Sequence, residues 1–416
     1  MLRKFRVMIW ALLILIAFHT NDPVQATSFD HVQKVRLVWD TISDAVRYEL
    51  VVTKEIGEAG KDPKPENVVF VDMNIYTAGT EMDVVNFRSQ LESLYWQVRA
   101  LDFDGQSISS FSMPEKLTDG EFDPIAPLPT VNFDKRDLVP LYPTYAWIPV
   151  LYADYYEVQV LSAQLDNDEA SDYLINSYII PGAQSFDCYG EDAFTTEGTW
   201  WWRVIAKAAD GQSVGTWSKA LPVTVRHIGY PVAALGDSVT HGGGAISNPS
   251  CNPAYDWTSY VGFPVRNLGH SGDTTEAMNS RFDADVLPFS PKILIVMGGV
   301  NDIRGGTSAE EVITHLKAIK GKCIENGIMP IFLTITPVNP AAIERAFGEA
   351  TDPEWQREWH RVNAWIRSQP YYVDTASLLT GNDGLLPTKI AADGLHPDTK
   401  GKELIGRAVG EYLSRL

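Results

Sequence analysis

The sequence is 416 residues long, which exceeds one ordinary domain and predicts two or three. Hydrophobic residues make up 45% and charged residues 21%, which is typical of a globular protein and excludes a disordered or collagen-like chain. The formal net charge of −19 argues against a nucleic-acid partner and against passive binding to membranes, because phosphate backbones and anionic lipids repel an acidic surface.

Residues 1–26 are predicted to be a signal peptide. Basic residues precede an apolar run of 12 residues from Val7 to Phe18, and the small residues Val24 and Ala26 precede the expected cleavage site. As a helix this run rises only about 18 Å against a hydrocarbon core of roughly 30 Å, so a retained anchor is the less favoured alternative. We therefore expect export to the periplasm or the medium, no stable membrane anchor, and a mature chain beginning at Thr27.

Three cysteines cannot all pair within one chain, and their spacing matches no metal motif. Export permits a disulfide, for which Cys188 and Cys251 are the more plausible pair, but we expect no essential disulfide. Cys323 falls on the apolar face of a predicted helix and is interpreted as a small core residue.

Residues 27–120 and 121–226 are predicted to form two similar β-sandwiches. The segment Trp96–Ala100 recurs 106 residues later as Trp202–Ala206, and each copy is followed by Asp-Gly-Gln-Ser. Alternating apolar and polar residues between such turns predict antiparallel strands. The Trp-x-Val-x-Ala strand ending at Asp-Gly, with an earlier tryptophan and a Tyr-x-Val strand, resembles fibronectin type III domains. The proline-rich segment Asp123–Pro129 is predicted to be a short stiff linker.

Residues 227–416 alternate short apolar runs with helical stretches, which predicts a parallel sheet with helices on both faces. The predicted strands are Val232–Leu235, Val265–Leu268, Ile293–Met297, Ile331–Ile335 and Tyr372–Asp374. The predicted helices are Ser308–Asn326 with a Thr307/Glu310 capping box, one opened by Asp352-Pro353, and one from Thr399 that buries Leu404, Ala408 and Tyr412. The short connection after Val225 predicts that the second sandwich packs against this domain.

Four predicted strand ends carry polar blocks, and the carboxyl ends of parallel strands are where functional groups gather. The blocks are Gly236-Asp237-Ser238, Asn267-x-Gly269-x-x-Gly272-Asp273-Thr274, Gly298-Gly299-x-Asn301-Asp302 and Asp393-Gly394-x-His396-Pro397. We interpret Asp237, Asp273 and Asp302 as caps of helices and loops rather than a metal cluster. His241 and His270 are interpreted as hydrogen-bonded structural groups.

Together these blocks contain the parts that ester hydrolysis needs. Ser238 supplies a hydroxyl nucleophile, His396 a base of the kind that changes charge near neutral pH, and Asp393 a carboxylate to orient it. Backbone amides of Ser238 and Gly272 and the side-chain amide of Asn301 can donate to an oxyanion. Because Thr240 stands where the α/β-hydrolase Gly-x-Ser-x-Gly motif requires a second glycine, that fold is not expected.

In this order the four blocks resemble those of GDSL/SGNH hydrolases, over about residues 231–414. The resemblance implies a flavodoxin-like domain with Ser238 as nucleophile, His396 as base, Asp393 as its partner, Gly272 and Asn301 as oxyanion donors, and no cofactor. The two sandwiches lie outside this resemblance.

The substrate is expected to be a small acyl ester, favouring acetyl, on a carbohydrate. Outward aromatic residues can stack on sugar rings, and the candidates are Trp201, beside the inward Trp202, and Tyr255 and Trp257, close in sequence to Ser238. A lipase, a thioesterase or a sugar O-acyltransferase of the same fold remains an alternative. The other alternative is a non-catalytic adhesion or glycan-binding protein whose sandwiches bind the ligand.

Overall fold

The computed structural model describes residues 29–133, 139–165, 172–227, 231–244 and 248–416. The predicted signal peptide and the expected Thr27 terminus lie outside these residues. Within the described ranges, no helix combines the length and the apolar character needed to cross a membrane.

The first β-sandwich consists of two antiparallel sheets. Its strands are β1 (Lys34–Val38), β2 (Arg47–Thr53), β3 (Val68–Ile75), β4 (Gly79–Asp83), β5 (Tyr95–Leu101), β6 (Glu115–Lys116) and β7 (Glu121–Phe122). The sheet orders are β4-β1-β7 and β3-β2-β5-β6. Trp96 and Tyr48 are buried between the sheets and Trp39 packs on both rings, as alternating inward side chains require. Because β7 pairs with β1, this sandwich continues past the predicted boundary at residue 120.

The second sandwich repeats the arrangement. Its strands are β8 (Leu128–Pro129), β9 (Thr144–Ile148), β10 (Tyr155–Leu161), β11 (Leu174–Pro181), β12 (Asp187–Tyr189), β13 (Gly198–Lys207), β14 (Ser213–Val214) and β15 (Leu221–Val225). The sheets run β12-β9-β8 and β11-β10-β13-β14, with β15 also on β13. Trp147, Tyr156 and Trp202 fill its core at the positions that the repeat predicts. Both sandwiches are therefore consistent with the fibronectin III-like prediction.

The segment predicted as a linker is bonded to the sandwiches. Asp123 accepts hydrogen bonds from the backbone nitrogens of Gln33 and Lys34, and the Ile125 carbonyl accepts from Thr216. Its last two residues form β8, which pairs with β9. The segment predicted as a short stiff linker is therefore also part of both sandwiches, because backbone groups of an extended segment form hydrogen bonds with adjacent strands.

The C-terminal domain is a parallel sheet covered by helices, as predicted. Its strands are β16 (Val232–Gly236), β17 (Arg266–Gly269), β18 (Ile293–Met297), β19 (Met329–Leu333) and β20 (Tyr372–Val373), in the order β17-β16-β18-β19-β20. The helices are α1 (Ser238–His241), α2 (Thr275–Asp285), α3 (Val300–Arg304), α4 (Ala309–Glu325), α5 (Pro340–Phe347), α6 (Trp355–Arg367), α7 (Ala376–Leu379) and α8 (Thr399–Leu413). This strand order is the flavodoxin-like one, in which neighbouring strand ends open a crevice.

Two details of the helices differ from the predictions. The N-cap of α4 is Ser308, whose hydroxyl accepts from the Glu311 nitrogen, so the predicted cap at Thr307 is displaced by one residue. In α8 the residues Leu404, Ala408 and Tyr412 are only partly buried, and the fully buried positions include Lys402 and Ile405. The buried face is rotated because a second segment, Trp257–Tyr260, also packs on this helix.

The second sandwich packs directly on the C-terminal domain, as expected. Leu141 donates from its backbone nitrogen to the Asn267 carbonyl, and the Tyr142 hydroxyl donates to Asp285 at 2.8 Å. Leu141 and Tyr142 belong to the hydrophobic core of that domain. Shared core residues make the two domains one packed unit at this junction.

The first sandwich also reaches the C-terminal domain, a contact that the sequence did not predict. The Asp44 carboxylate accepts from the Tyr255 hydroxyl at 3.0 Å and from Thr399, at the start of α8. Arg345 on α5 forms an ion pair with Asp104 at 3.3 Å.

All three cysteines are buried, and none forms a disulfide. Cys323 lies within the core face of α4, as predicted. Cys188 and Cys251 belong to the same hydrophobic cluster of the second sandwich without being bonded to each other.

Candidate functional site

The nucleophile candidate lies where β16 turns into α1. Asp237 caps this helix by accepting from the Val239 nitrogen at 2.9 Å, which leaves Ser238 as its first residue. The turn is tight: a Cβ on Gly236 would lie 2.4 Å from the Met297 carbonyl oxygen, so only glycine fits there. The Ser238 side chain is therefore held at the carboxyl edge of the sheet.

The Asp393–His396 loop brings the base to this serine. His396 Nε2 lies 2.9 Å from Ser238 Oγ, and His396 Nδ1 lies 2.8 Å from Asp393 Oδ2. Asp393 is 1% exposed, and its Oδ1 accepts from the backbone nitrogens of Leu395 and His396. One carboxylate thus fixes both the loop and the imidazole, and the chain of hydrogen bonds can move a proton from Ser238 to His396.

Gly272 and Asn301 line the same cavity as Ser238 and His396, with a volume of about 350 Å³. Gly272 has a φ of +87°, a backbone conformation that residues with a side chain rarely adopt. The turn formed at this glycine places its backbone at the cavity wall. Asn301 Nδ2 donates to the Asp273 carbonyl at 2.9 Å, and its Oδ1 accepts from Arg304. These two hydrogen bonds fix the orientation of the Asn301 side-chain amide, and the second N–H of its Nδ2 is left to donate to an oxyanion.

The other polar residues of the blocks stabilise the loops that carry the site. Asp302 accepts from the Thr275 nitrogen and hydroxyl, which joins the third block to the start of α2. Arg281 donates to Asp273 at 2.6 Å and to the Gly236 carbonyl. Among the described residues, no group of three or more His, Cys, Asp or Glu side chains is arranged to hold a metal ion.

The two neighbouring histidines are hydrogen-bonded, in agreement with the structural interpretation. His241 Nε2 lies 2.6 Å from the Tyr142 carbonyl and its Nδ1 lies 2.9 Å from Ser271 Oγ. Burial lowers the pKa of His241 to about 4. His270 Nδ1 is 2.9 Å from Asp273, which raises the pKa of His270.

Two charged groups are buried beside the nucleophile. Burial raises the pKa of Asp237 to about 7. Lys402, fully buried on α8, donates from Nζ to the Val239 carbonyl at 2.7 Å, and burial lowers its pKa to about 8. The Lys402 hydrogen bond thus stabilises α1, and no motif in the sequence predicts this contact.

The three predicted substrate-binding aromatics are not at the cavity. Tyr255 and Trp257 are fully buried, since their segment folds inward between α8 and the first sandwich, and their assignment as sugar-stacking residues is wrong. Trp257 belongs to the domain core. Trp201 is half-buried on β13 and does not line the cavity, because β13 lies in the sheet away from this site.

Four side chains outside the four polar blocks also line the cavity and were missed. Phe347 lies with its ring centroid 6.1 Å from that of His396, and Arg304 pairs with Glu349 at 2.7 Å. The fourth is Tyr189, at the end of β12 in the second sandwich. None of these positions follows a strand of the parallel sheet directly, so the rule that identified the blocks could not find them.

The comparison with protein families settles the nature of this domain. The model of the GDSL-like lipase/acylhydrolase family matches residues 234–404, which include all four polar blocks. The C-terminal domain belongs to the GDSL-like lipase/acylhydrolase family. This GDSL domain is accordingly a hydrolase of esters, and the parallel sheet and helices described above are its fold.

Solved structures resemble the GDSL domain as well. A GDSL-family protein from Desulfitobacterium hafniense is 26% identical with a TM-score of 0.35, over 44% of this chain and 97% of its own. A lipase/acylhydrolase from Enterococcus faecalis is 20% identical with a TM-score of 0.35, over 45% and 96%. A mutant of an acetyl-xylooligosaccharide esterase from Geobacillus is 22% identical with a TM-score of 0.32, over 45% and 96%. No protein of curated function matches the chain.

Proposed function

We propose that the GDSL domain is a serine esterase in which Ser238, His396 and Asp393 form the catalytic triad. The observation that carries this proposal is the hydrogen-bond chain from Asp393 Oδ2 through both imidazole nitrogens to Ser238 Oγ, at 2.8 and 2.9 Å, opening into a cavity. His241 also lies beside a cavity-lining serine, Ser271, but its other ring nitrogen faces the Tyr142 carbonyl, whereas the second nitrogen of His396 faces a carboxylate.

The reaction follows from this geometry. Ser238 Oγ attacks the acyl carbonyl while His396 Nε2 takes the hydroxyl proton, and Asp393 stabilises the resulting imidazolium. The oxyanion accepts hydrogen bonds from the Ser238 and Gly272 amides and from Asn301 Nδ2. His396 then gives the proton to the leaving alcohol, and water attacks the acyl-enzyme with His396 again as base. No step requires a metal or an organic cofactor.

Asn301 offers a graded test of the oxyanion site. We expect Asn301→Ala to reduce kcat about 10²–10³-fold, the effect of losing one oxyanion donor, with little change in KM. Steady-state kinetics with p-nitrophenyl acetate measure both constants. A variant with unchanged kcat would remove Asn301 from the proposed site.

We further propose that the substrate is a small acyl ester, acetyl in the first place, on a carbohydrate. The cavity of about 350 Å³ is lined by glycines, by charged and polar side chains, and by the rings of Tyr189 and Phe347 and the side chain of Leu395. Long acyl chains gain about 0.8 kcal/mol per buried methylene only where a continuous apolar surface receives them. Arg304 and Glu349 instead present hydrogen-bonding groups of the kind that sugar hydroxyls require.

An ester panel tests the substrate class. We expect kcat/KM for p-nitrophenyl esters to fall steeply from acetyl to octanoyl, and acetate to be released from acetylated glycans. A flat or rising profile, with no acetate released from any glycan, would favour the lipase or thioesterase alternative. Transfer of the acetyl group to an added sugar in place of water would favour the acyltransferase.

We also propose that the protein is exported. The basic, apolar and small-residue segments of residues 1–26 support a cleaved signal peptide. N-terminal sequencing of protein recovered outside the cytoplasm is expected to begin at Thr27. Recovered protein that still begins at Met1 would contradict export by cleavage.

A further inference from the structure

One wall of the catalytic cavity comes from outside the GDSL domain. Among the described residues that line it, Tyr189 alone precedes Ser238 in the chain, and it belongs to β12 of the second sandwich. Tyr189 is 40% exposed although β9, the strand that pairs with β12, is buried throughout, and its exposed surface lines the cavity. The first sandwich has β4 at the corresponding edge of its sheet, and β4 contributes nothing to this cavity.

The Tyr189 ring is held in place from several sides. β12 pairs with β9, which sets Tyr189 opposite Thr144. The ring meets His241 edge-on, with centroids 5.7 Å apart, and Ser250 hydrogen-bonds the hydroxyl, while Thr144 Oγ1 lies 2.5 Å from Ser250 Oγ. Because His241 and Ser250 already restrict the Tyr189 ring, the ring loses little conformational entropy when a ligand packs on it.

The surroundings of this ring suit a sugar better than an acyl chain. Gly242, Gly243 and Gly244 lie along the same cavity without side chains that would fill it. The Arg304–Glu349 ion pair, which lines the same cavity, can exchange hydrogen bonds with hydroxyl groups. A pyranose presents both an apolar face of C–H groups and an edge of hydroxyls, which matches an aromatic ring combined with charged groups.

Resting on the esterase function proposed above, we infer that Tyr189 is a specificity-determining residue, supplied by the second sandwich, that stacks on a sugar ring of the acylated substrate. The second sandwich is then part of the active site rather than a spacer, and the direct packing of Leu141 and Tyr142 into the GDSL core serves to fix this wall.

The test compares Tyr189→Ala with the wild type on partially acetylated xylooligosaccharides and on triacetin. Triacetin is chosen because it has no ring, whereas p-nitrophenyl acetate could itself stack on tyrosine. We expect KM for the oligosaccharide to rise about tenfold in Tyr189→Ala, the size of one lost aromatic stack, while kcat/KM for triacetin stays within about twofold. Tyr189→Phe should remain near wild type on both substrates, since the hydroxyl is bonded to Ser250.

Two further variants complete the design. Tyr173→Ala removes an exposed tyrosine of the same sandwich that does not line the cavity, and it should change neither substrate. Tyr189→Leu keeps apolar volume but not the flat ring, so it replaces Tyr189→Ala if that variant fails to fold, and the same loss is expected.

The outcomes separate this inference from the esterase proposal. Equal kinetics of Tyr189→Ala and wild type on the oligosaccharide, with triacetin still hydrolysed, would overturn the role of Tyr189 alone. A gain of octanoyl-ester activity in Tyr189→Ala without a change in KM for the oligosaccharide would also overturn it, making Tyr189 a limit on acyl length. If wild type hydrolysed no ester, the proposed function would fail, and titration with unacetylated xylooligosaccharides would decide the stacking separately: about tenfold weaker binding by Tyr189→Ala supports it, equal binding overturns it.

Discussion

Ser238→Ala is expected to reduce kcat by about 10⁵–10⁶-fold, because the nucleophile and its base act as a unit and the loss of either removes nearly the whole covalent route. The fold should be unaffected. The Ser238 hydroxyl is hydrogen-bonded to His396, while the cap of α1 is made by Asp237. The measurement is release of p-nitrophenol from the acetyl ester, with thermal unfolding as the check on folding.

Ser271→Ala is the matched control. Ser271 lines the same cavity, but its hydroxyl lies 2.9 Å from His241 rather than from His396. We expect this variant to stay within about tenfold of wild type, since it keeps every group of the proposed triad. A chelator should leave the wild-type rate unchanged. Near-normal activity of Ser238→Ala, or loss of wild-type activity with chelator, would refute the proposed mechanism.

The site blocks could be located from sequence because one topological rule governs them. In a parallel sheet every strand ends at the same edge, so Ser238, Gly272 and Asn301 had to converge once their strands were recognised. Asp393 and His396 lie in a loop after the last strand, and their spacing of three residues already places a carboxylate near the imidazole. The family match over residues 234–404 agrees with this resemblance.

The aromatic residues show where the argument from sequence fails. Tyr255 and Trp257 lie near Ser238 in the chain, but proximity in sequence does not specify which way an insertion folds. Here the insertion folds inward. The Tyr255 hydroxyl donates a hydrogen bond to Asp44 of the first sandwich, and Trp257 packs in the hydrophobic core beside α8. Tyr189 lies in another domain, and only the docking of that domain brings its ring to the cavity.

The burial of the charged residue Lys402 is the second feature that could not be predicted from the sequence. Lys402 stands between Gly401 and Glu403 in a helix with an otherwise ordinary pattern, and a lysine is rarely expected in a core. Its burial accompanies an inner face of α8 that differs from the predicted one at Leu404 and Ala408. The hydrogen bond to the Val239 carbonyl explains why this cation is tolerated, and it lies one residue from the nucleophile.

Asp393→Asn is expected to reduce kcat about 10⁴-fold, more than its small change in shape suggests. Asp393 Oδ1 accepts from two backbone nitrogens, those of Leu395 and His396, so the asparagine must keep its oxygen at that position. Its NH₂ group then faces His396 Nδ1, which has to become an acceptor. The imidazole proton moves to Nε2 and points at Ser238 Oγ, where it blocks removal of the hydroxyl proton.

Two comparisons test this tautomer argument. Asp393→Ala imposes no tautomer on His396, so its activity should equal or exceed that of Asp393→Asn even though it removes more hydrogen bonds. Asp383→Asn serves as the control, because Asp383 is an exposed loop residue whose Oδ1 also accepts from a backbone nitrogen, that of Leu385, and its kinetics should be unchanged. An Asp393→Asn variant within about tenfold of wild type would show that the carboxylate does not orient the base.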